Sequence, residues 1–261
     1  MEIEIVETRK WGNSSGALLP REWLGKQVKI ILIDRTLEIR REILNILEQY
    51  LIDIMGIYLT GSYARNEQMT DSDIDIIVIS KETRKTFSSG KYNIEIYPLK
   101  SIKKSLEENP ILIYPRLLEA KPILNNFLLE ELKNIKLGSN PWKNYIRECE
   151  RIARINKEFI KLDEDKKEIQ SQGIVYSLIL RLRGLYLIEK IENRSFSKNS
   201  FQKWLAKKAS LSKEDVESVY NIYKMEKNGE KINILIETKI AENLLNMFKK
   251  EISKYEKRKK T

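Results

Sequence analysis

The spacing of apolar residues changes twice along the chain. Between Leu37 and Ile54 the apolar positions (Leu37, Ile43, Leu44, Ile46, Leu47, Leu51, Ile54) recur at helical spacing, with Gly56 as a C-terminal cap. The pattern then tightens. Ile57-Tyr58-Leu59-Thr60 reads as a short strand, Tyr63 to Gln68 as one or two helical turns, and β-branched Ile74 to Ile79 as a central strand. Ser89-Gly90 makes a turn before a third strand, Tyr92 to Tyr97, closed by Pro98, and Ser101 to Glu108 is a helix stopped before Pro110. Beyond Pro141 the pattern is helical to the end. Ile174 to Ile191 is apolar nearly all round, as expected for the central helix of a bundle. Ahead of all this, Glu2 to Asp34 alternates in short stretches broken by Gly and Pro, which is the texture of small β structure. The expected class is α+β in three parts: a β-hairpin module over 1–34, an α/β domain over 35–137 and a helical bundle over 138–261.

Composition narrows the chemistry. The 261 residues contain no His and one Cys, Cys149, so no disulfide framework, Ser-His-Asp triad, Cys-His pair or zinc hydrolase can be assembled. Catalysis has to run on carboxylates, Lys, Arg, Tyr, Ser or a bound hard metal. No apolar run approaches the roughly 18 residues that span a bilayer, and the acidic start Met1-Glu2-Ile3-Glu4 is unlike a signal peptide, so a cytoplasmic protein with no membrane partner is expected. A formal charge of +10 favours a polyanionic partner, nucleic acid first, and also suits a merely soluble surface.

The informative segment is Leu59-Thr60-Gly61-Ser62-Tyr63-Ala64-Arg65, followed by Asp71-Ser72-Asp73-Ile74-Asp75-Ile76. Side chains of a strand alternate faces, so Asp73 and Asp75 point one way while Ile74 and Ile76 point into the core. Two carboxylates so close repel each other unless a cation neutralises them, and a hard divalent ion, Mg²⁺ or Mn²⁺, is the simplest solution. Glu95, opposite Ile94 and Ile96 on the third strand, joins them if the strands are neighbours, and three carboxylates suit a two-metal site. Gly61 lets backbone approach a phosphate, Ser62 can donate to it, the N–H groups of the following helical turn would face it, and Arg65 can add charge.

Gly61-Ser62, ten intervening residues, then Asp73-Ile74-Asp75 resembles the signature of the DNA polymerase β-like nucleotidyltransferase superfamily. Gly-Ser-Tyr-Ala-Arg with Ser-Asp-Ile-Asp-Ile is similar to its minimal members, many of them prokaryotic antitoxins. The resemblance covers about Glu38 to Asn125. It implies a polymerase β-like α/β domain in which Asp73, Asp75 and Glu95 are catalytic and hold the metal, and Gly61 and Ser62, with Arg65, bind the triphosphate of an NTP. Two positions depart from the pattern: Asn66 stands where minimal members often have Gly, and Glu95 where Asp is common.

Lys10-Trp11-Gly12-Asn13-Ser14-Ser15-Gly16 with Pro20-Arg21-Glu22-Trp23 resembles the AbrB/SpoVT swapped-hairpin DNA-binding family over Glu2 to Asp34. The resemblance implies DNA contacts from Arg9, Lys10 and Arg21. About 33 residues cannot bury a core alone, so the module must dimerise or dock, and a homodimer is expected. The helical part is similar in outline to the bundle of kanamycin nucleotidyltransferase relatives. Within it, Arg181 and Arg183 should pair with carboxylates of the 148–168 region or with substrate, and Tyr176 and Tyr186 should pack. Ribonuclease members of that bundle class use an Arg followed by a His, which this chain cannot supply. The expected activity is Mg²⁺-dependent transfer of a nucleoside monophosphate from an NTP to a hydroxyl of an RNA or tRNA, a protein or a small molecule. The alternative is a DNA-binding antitoxin or regulator that uses the transferase fold to hold a partner.

Overall fold

The computed structural model describes residues 6, 9–28, 36–69, 72–191 and 196–257. Ile3, Ile5, Ile30, Asp71 and the basic residues Arg258, Lys259 and Lys260 lie outside them. The chain divides into two compact units, Met1–Ile43 and Leu44–Thr261, so the sheet and the helices from Lys143 onward share one unit.

In the first unit, strands β1 (Arg9–Trp11) and β2 (Ser14–Gly16) form an antiparallel hairpin in which Arg9 faces Gly16, and the Ser14 hydroxyl donates to Trp11 O at 3.1 Å. A single 3₁₀ turn follows at Arg21–Trp23. Arg9, Lys10 and Arg21 are exposed, as are the apolar residues Trp11, Leu18, Leu24 and Val28. Helix α1 (Thr36–Ile46) begins here and runs into the second unit.

Helix α1 stops at Ile46 rather than Ile54. A 3₁₀ turn at Glu48–Tyr50 takes over, and Ile54 already belongs to strand β3 (Ile54–Thr60). Gly56 is therefore a strand residue and not a cap. The ring of buried Tyr58 folds back along the strand, and a Cβ at Gly56 would collide with its hydroxyl. After α2 (Gly61–Arg65) come β4 (Ile74–Ser80), β5 (Lys85–Ser89) and β6 (Tyr92–Pro98). The helices α3 (Leu99–Glu108) and α4 (Tyr114–Glu119), strand β7 (Lys121–Leu124) and helix α5 (Asn126–Lys133) complete this part.

The sheet order is β5-β6-β4-β3-β7, with β4 and β6 parallel and every other pair antiparallel. The two outer strands escape a sequence reading because neither alternates cleanly. β5 is mostly exposed, and β7 contains Pro122, which is tolerated because the strand lies at an edge. Tyr58, Ile77 and Ile79 form the core on one face with Ile102 and Leu106 of α3, Leu117 of α4 and Leu128, Leu129 and Leu132 of α5.

The helical part comprises α6 (Lys143–Lys161), α7 (Gly173–Lys190), α8 (Lys198–Ala209), α9 (Lys213–Asn228) and α10 (Thr238–Lys257). Helix α7 is central: it packs on α6, α8, α9 and α10, which explains its apolar girth. Arg181 pairs with Glu148 at 2.6 Å as the sequence suggests, whereas Arg183 donates to the Tyr223 hydroxyl at 2.9 Å. Tyr186 packs between Phe201 and Trp204, and Tyr176 stacks on Tyr223. Cys149 on α6 is fully buried, and that burial pushes its thiol up to about 12. A Ser212–Asp215 capping box starts α9 and Gly229 ends it in a left-handed cap.

Candidate active site

The site begins with a register. Thr60, the last residue of β3, lies opposite Asp75 on β4, and its hydroxyl donates to Asp75 O at 3.2 Å. The chain must leave the sheet immediately afterwards, and Gly61 does so at φ +71°, a left-handed conformation that disfavours any side chain. Its missing Cβ is needed for a second reason: an added Cβ would collide with the Asp75 carboxylate. Gly61 and Asp75, 14 residues apart in sequence, are thus pressed together. Ser62 follows in the first turn of α2, partly exposed. Asn66 ends α2 at φ +57°, the conformation that glycine adopts most freely and Asn next best, and its side chain accepts from Lys121 Nζ at 2.7 Å.

Asp75 is half-buried, Asp73 exposed at the mouth of β4. Among the described residues no side chain donates to the Asp75 carboxyl, whereas Asp73 accepts from Asn93 Nδ2 at 3.2 Å. Burial raises the Asp75 carboxyl above its ordinary value, with Glu95 and Asp73 adding to the rise and Lys227 and Arg116 opposing it. An under-coordinated carboxyl among other carboxyls suits a divalent cation, and Asp73 and Asp75 could hold one.

Glu95 lies on the same face, because Asp75 pairs with Asn93 and Ile77 with Glu95 across the parallel β4–β6 ladder. It stands one side-chain step further along, and it is engaged. Arg116 of α4 grips both its oxygens, Nη2 to Oε1 at 2.6 Å and Nη1 to Oε2 at 3.1 Å, and the Tyr97 hydroxyl donates to Oε2. Burial alone would raise the Glu95 carboxyl, but Arg116 and Tyr97 outweigh it and hold Glu95 below its ordinary value. Among the described residues no three His, Cys, Asp or Glu side chains are gathered as a metal cage. The geometry thus joins Asp73 with Asp75 and sets Glu95 beside them as an ionised, clamped carboxylate.

Arg65 is also committed. Its Nε donates to Glu67 at 2.9 Å and its Nη1 to Glu119 at 2.8 Å, while Glu119 Oε1 accepts the Gly61 N–H at 3.0 Å. Sequence reasoning missed Arg116, Glu119 and Lys227. The first two sit on a six-residue helix with no usable periodicity, and Lys227 reaches the carboxylates from α9, across the fold. The other expected residues, Arg9, Lys10 and Arg21, belong to the first unit.

Among the described residues no helix is long and apolar enough to cross a membrane. The profile of the nucleotidyltransferase domain matches residues 40–258. A provisionally named protein adenylyltransferase from Methanocaldococcus jannaschii is 35% identical over 136 residues, which are 47% of this chain and 90% of that protein. Among solved structures, spectinomycin adenyltransferase AAD(9) from Enterococcus faecialis, with ATP and spectinomycin, is 17% identical with a TM-score of 0.44, over 82% of this chain and 99% of that one. A nucleotidyltransferase-like protein from Exiguobacterium sibiricum 255-15 is 14% identical with a TM-score of 0.35, over 83% and 75% of the two chains. The profile spans both the glycine loop and the paired aspartates described above, and this chain belongs to the nucleotidyltransferase domain family and is a nucleotidyltransferase.

Proposed function

We propose that the chain transfers a nucleoside monophosphate from an NTP, most naturally AMP from ATP, to a hydroxyl of an RNA, protein or small-molecule acceptor. The adenylyl preference follows the name of the relative that is 35% identical. The single observation that carries the reading is the contact between Gly61 and Asp75, where a positive φ and the missing Cβ put a backbone without a side chain against an under-coordinated carboxylate. Gly61 and Ser62 bind the triphosphate by close backbone approach and the Ser62 hydroxyl. Asp73 and Asp75 would hold a divalent cation, Mg²⁺ or Mn²⁺, which supplies charge neutralisation at the transferring phosphoryl group and a lower pKa for the acceptor hydroxyl. The acceptor oxygen attacks the α-phosphorus, the bond to the β-phosphate bridging oxygen breaks, and pyrophosphate leaves in line. The hydroxyl proton passes to solvent, and Glu95, kept ionised by Arg116, stands beside the site as a fixed negative charge. Lys227 adds positive charge near the carboxylates.

The test is incubation of the full chain with α-³²P-labelled ATP, Mg²⁺ and, separately, total RNA, protein extract and an aminocyclitol panel. Label transferred to one class and lost in Asp73→Asn with Asp75→Asn supports the reading. Label on none of the three, with no pyrophosphate released, counts against it.

A second reading is favoured by the first unit, whose exposed Arg9, Lys10 and Arg21 accompany exposed Trp11, Leu18 and Leu24. In it the AbrB-like hairpin pairs with a second copy and contacts DNA, and the chain acts as an antitoxin or regulator. Salt-sensitive binding to duplex DNA that weakens in Arg9→Ala with Lys10→Ala distinguishes it.

A further inference from the structure

Glycine at positive φ followed by a helix of only five residues is a loop that cannot hold itself. Gly61 loses more backbone freedom on ordering than any other residue would, and α2 has no side-chain cap on Thr60 and too few residues to be stable alone. The restraint comes from α4. Pro115, Leu117 and Leu118 of that helix are buried, Leu117 in the sheet's core, so its backbone is fixed. From this anchor Glu119 spans both ends of α2: Oε1 accepts the Gly61 N–H at 3.0 Å and Oε2 accepts Arg65 Nη1 at 2.8 Å. Glu67 takes the remaining face of Arg65, so the guanidinium is turned onto Glu119. Three residues earlier on the same helix, Arg116 grips Glu95. One six-residue helix therefore fixes the separation between the glycine loop and the carboxylate strand.

We infer that Glu119 is a positioning residue for nucleotide binding: it braces the Gly61–Arg65 segment in the shape that receives the triphosphate, without touching the nucleotide itself. This rests on the nucleotidyltransferase site proposed above. The Glu119 side chain is only 11% exposed and sits on an anchored helix, which suits a permanent brace better than a plug that phosphate would displace. The brace makes an expectation opposite in sign to simple electrostatics. Removing a negative charge beside a phosphate site should tighten anion binding if charge is all that matters. If Glu119 braces the loop, its removal weakens binding.

The experiment is calorimetric titration of the full chain with Mg²⁺-ATP, for wild type, Glu119→Ala, Glu119→Gln and Asp73→Asn with Asp75→Asn, alongside melting curves. Glu119→Ala is expected to bind at least about fivefold more weakly, since a buried charged hydrogen-bond partner is lost on two donors. Glu119→Gln should fall between, because its amide oxygen can still accept the Gly61 N–H. If Glu119→Ala does not fold, Glu119→Gln decides, with weaker binding than wild type expected. Binding equal to or tighter than wild type in a folded Glu119 variant overturns the brace and leaves the nucleotidyltransferase site standing, provided the aspartate double variant has lost binding. A wild-type chain that binds neither ATP nor any of the other three common NTPs overturns the site and the brace together.

Discussion

At the scale of single residues, the placement of the paired aspartates was legible because its signal is local. Asp73 and Asp75 need only a strand's alternation, and Gly61 needs only to follow a strand end. Asn66 shows how a departure from a family pattern becomes intelligible: its φ of +57° is the reason that Gly is common at such a position, and Asn is the least costly replacement. Gly61→Val should destabilise the fold by about 1–2 kcal/mol through the left-handed backbone, and Mg²⁺-ATP affinity should fall by more than about tenfold through the clash with Asp75. Melting curves and calorimetry read the two effects separately, and wild-type nucleotide affinity in Gly61→Val would make the loop a mere turn. Asp75 gives a pH prediction. Its folded-state carboxyl is raised above its unfolded value, so protonation favours the fold, and the penalty grows as pH rises through the folded value. Asp75→Asn should therefore melt on the order of 2 °C above the metal-free wild type at neutral pH. The gap should close at acid pH, where the native Asp75 is itself protonated. A constant gap across that range would mean that repulsion is not its source.

At the scale of elements, the sequence reading succeeded for strands with strong β-branched runs and failed where an element is defined by its neighbours. β5 and β7 pair with the outer sides of β6 and β3, and α1 gives way to a 3₁₀ turn well before Ile54 enters the sheet. The roles of Arg116 and Glu119 were invisible for the same reason: their partners lie 21 and 58 residues away, and only the docking of α4 makes them meet. Helix α9 carries a prediction of its own. Lys227 is exposed yet favours the ionised forms of Asp75 and Glu95. Lys227→Ala should leave the melting temperature unchanged and weaken Mg²⁺-ATP binding about two- to fivefold, with the loss shrinking in high salt. An unaltered affinity at low salt would remove α9 from the nucleotide site.

At the scale of the molecule, the contacts draw two units, with the strands and the bundle in one of them. Periodicity shows where helices begin but not which residues tie one core to the next, and the sheet and the bundle keep distinct cores. Ile111, from the 3₁₀ turn before α4, is buried in the bundle's core and ties it to the sheet's side of the chain. Deleting residues 2–33 should therefore leave Mg²⁺-ATP binding within about twofold of wild type, since no group of the proposed site is removed. If the hairpin's exposed Trp11, Leu18 and Leu24 are covered by a second copy, the same deletion should turn a dimer into a monomer in light scattering. A full-length monomer would refute that pairing.

The buried thiol of α6 has a practical corollary. With Cys149 as the single cysteine of the chain, sealed from solvent and with its thiol pushed up by burial, the native protein should be silent towards maleimides and iodoacetamides. A cysteine introduced at exposed Lys10 in the hairpin, or at Lys224 on α9, would be the sole reactive thiol, so a fluorophore or spin label can be attached at one chosen point without first stripping the native one. The chemistry that the fold hides thus makes each of its surfaces separately addressable.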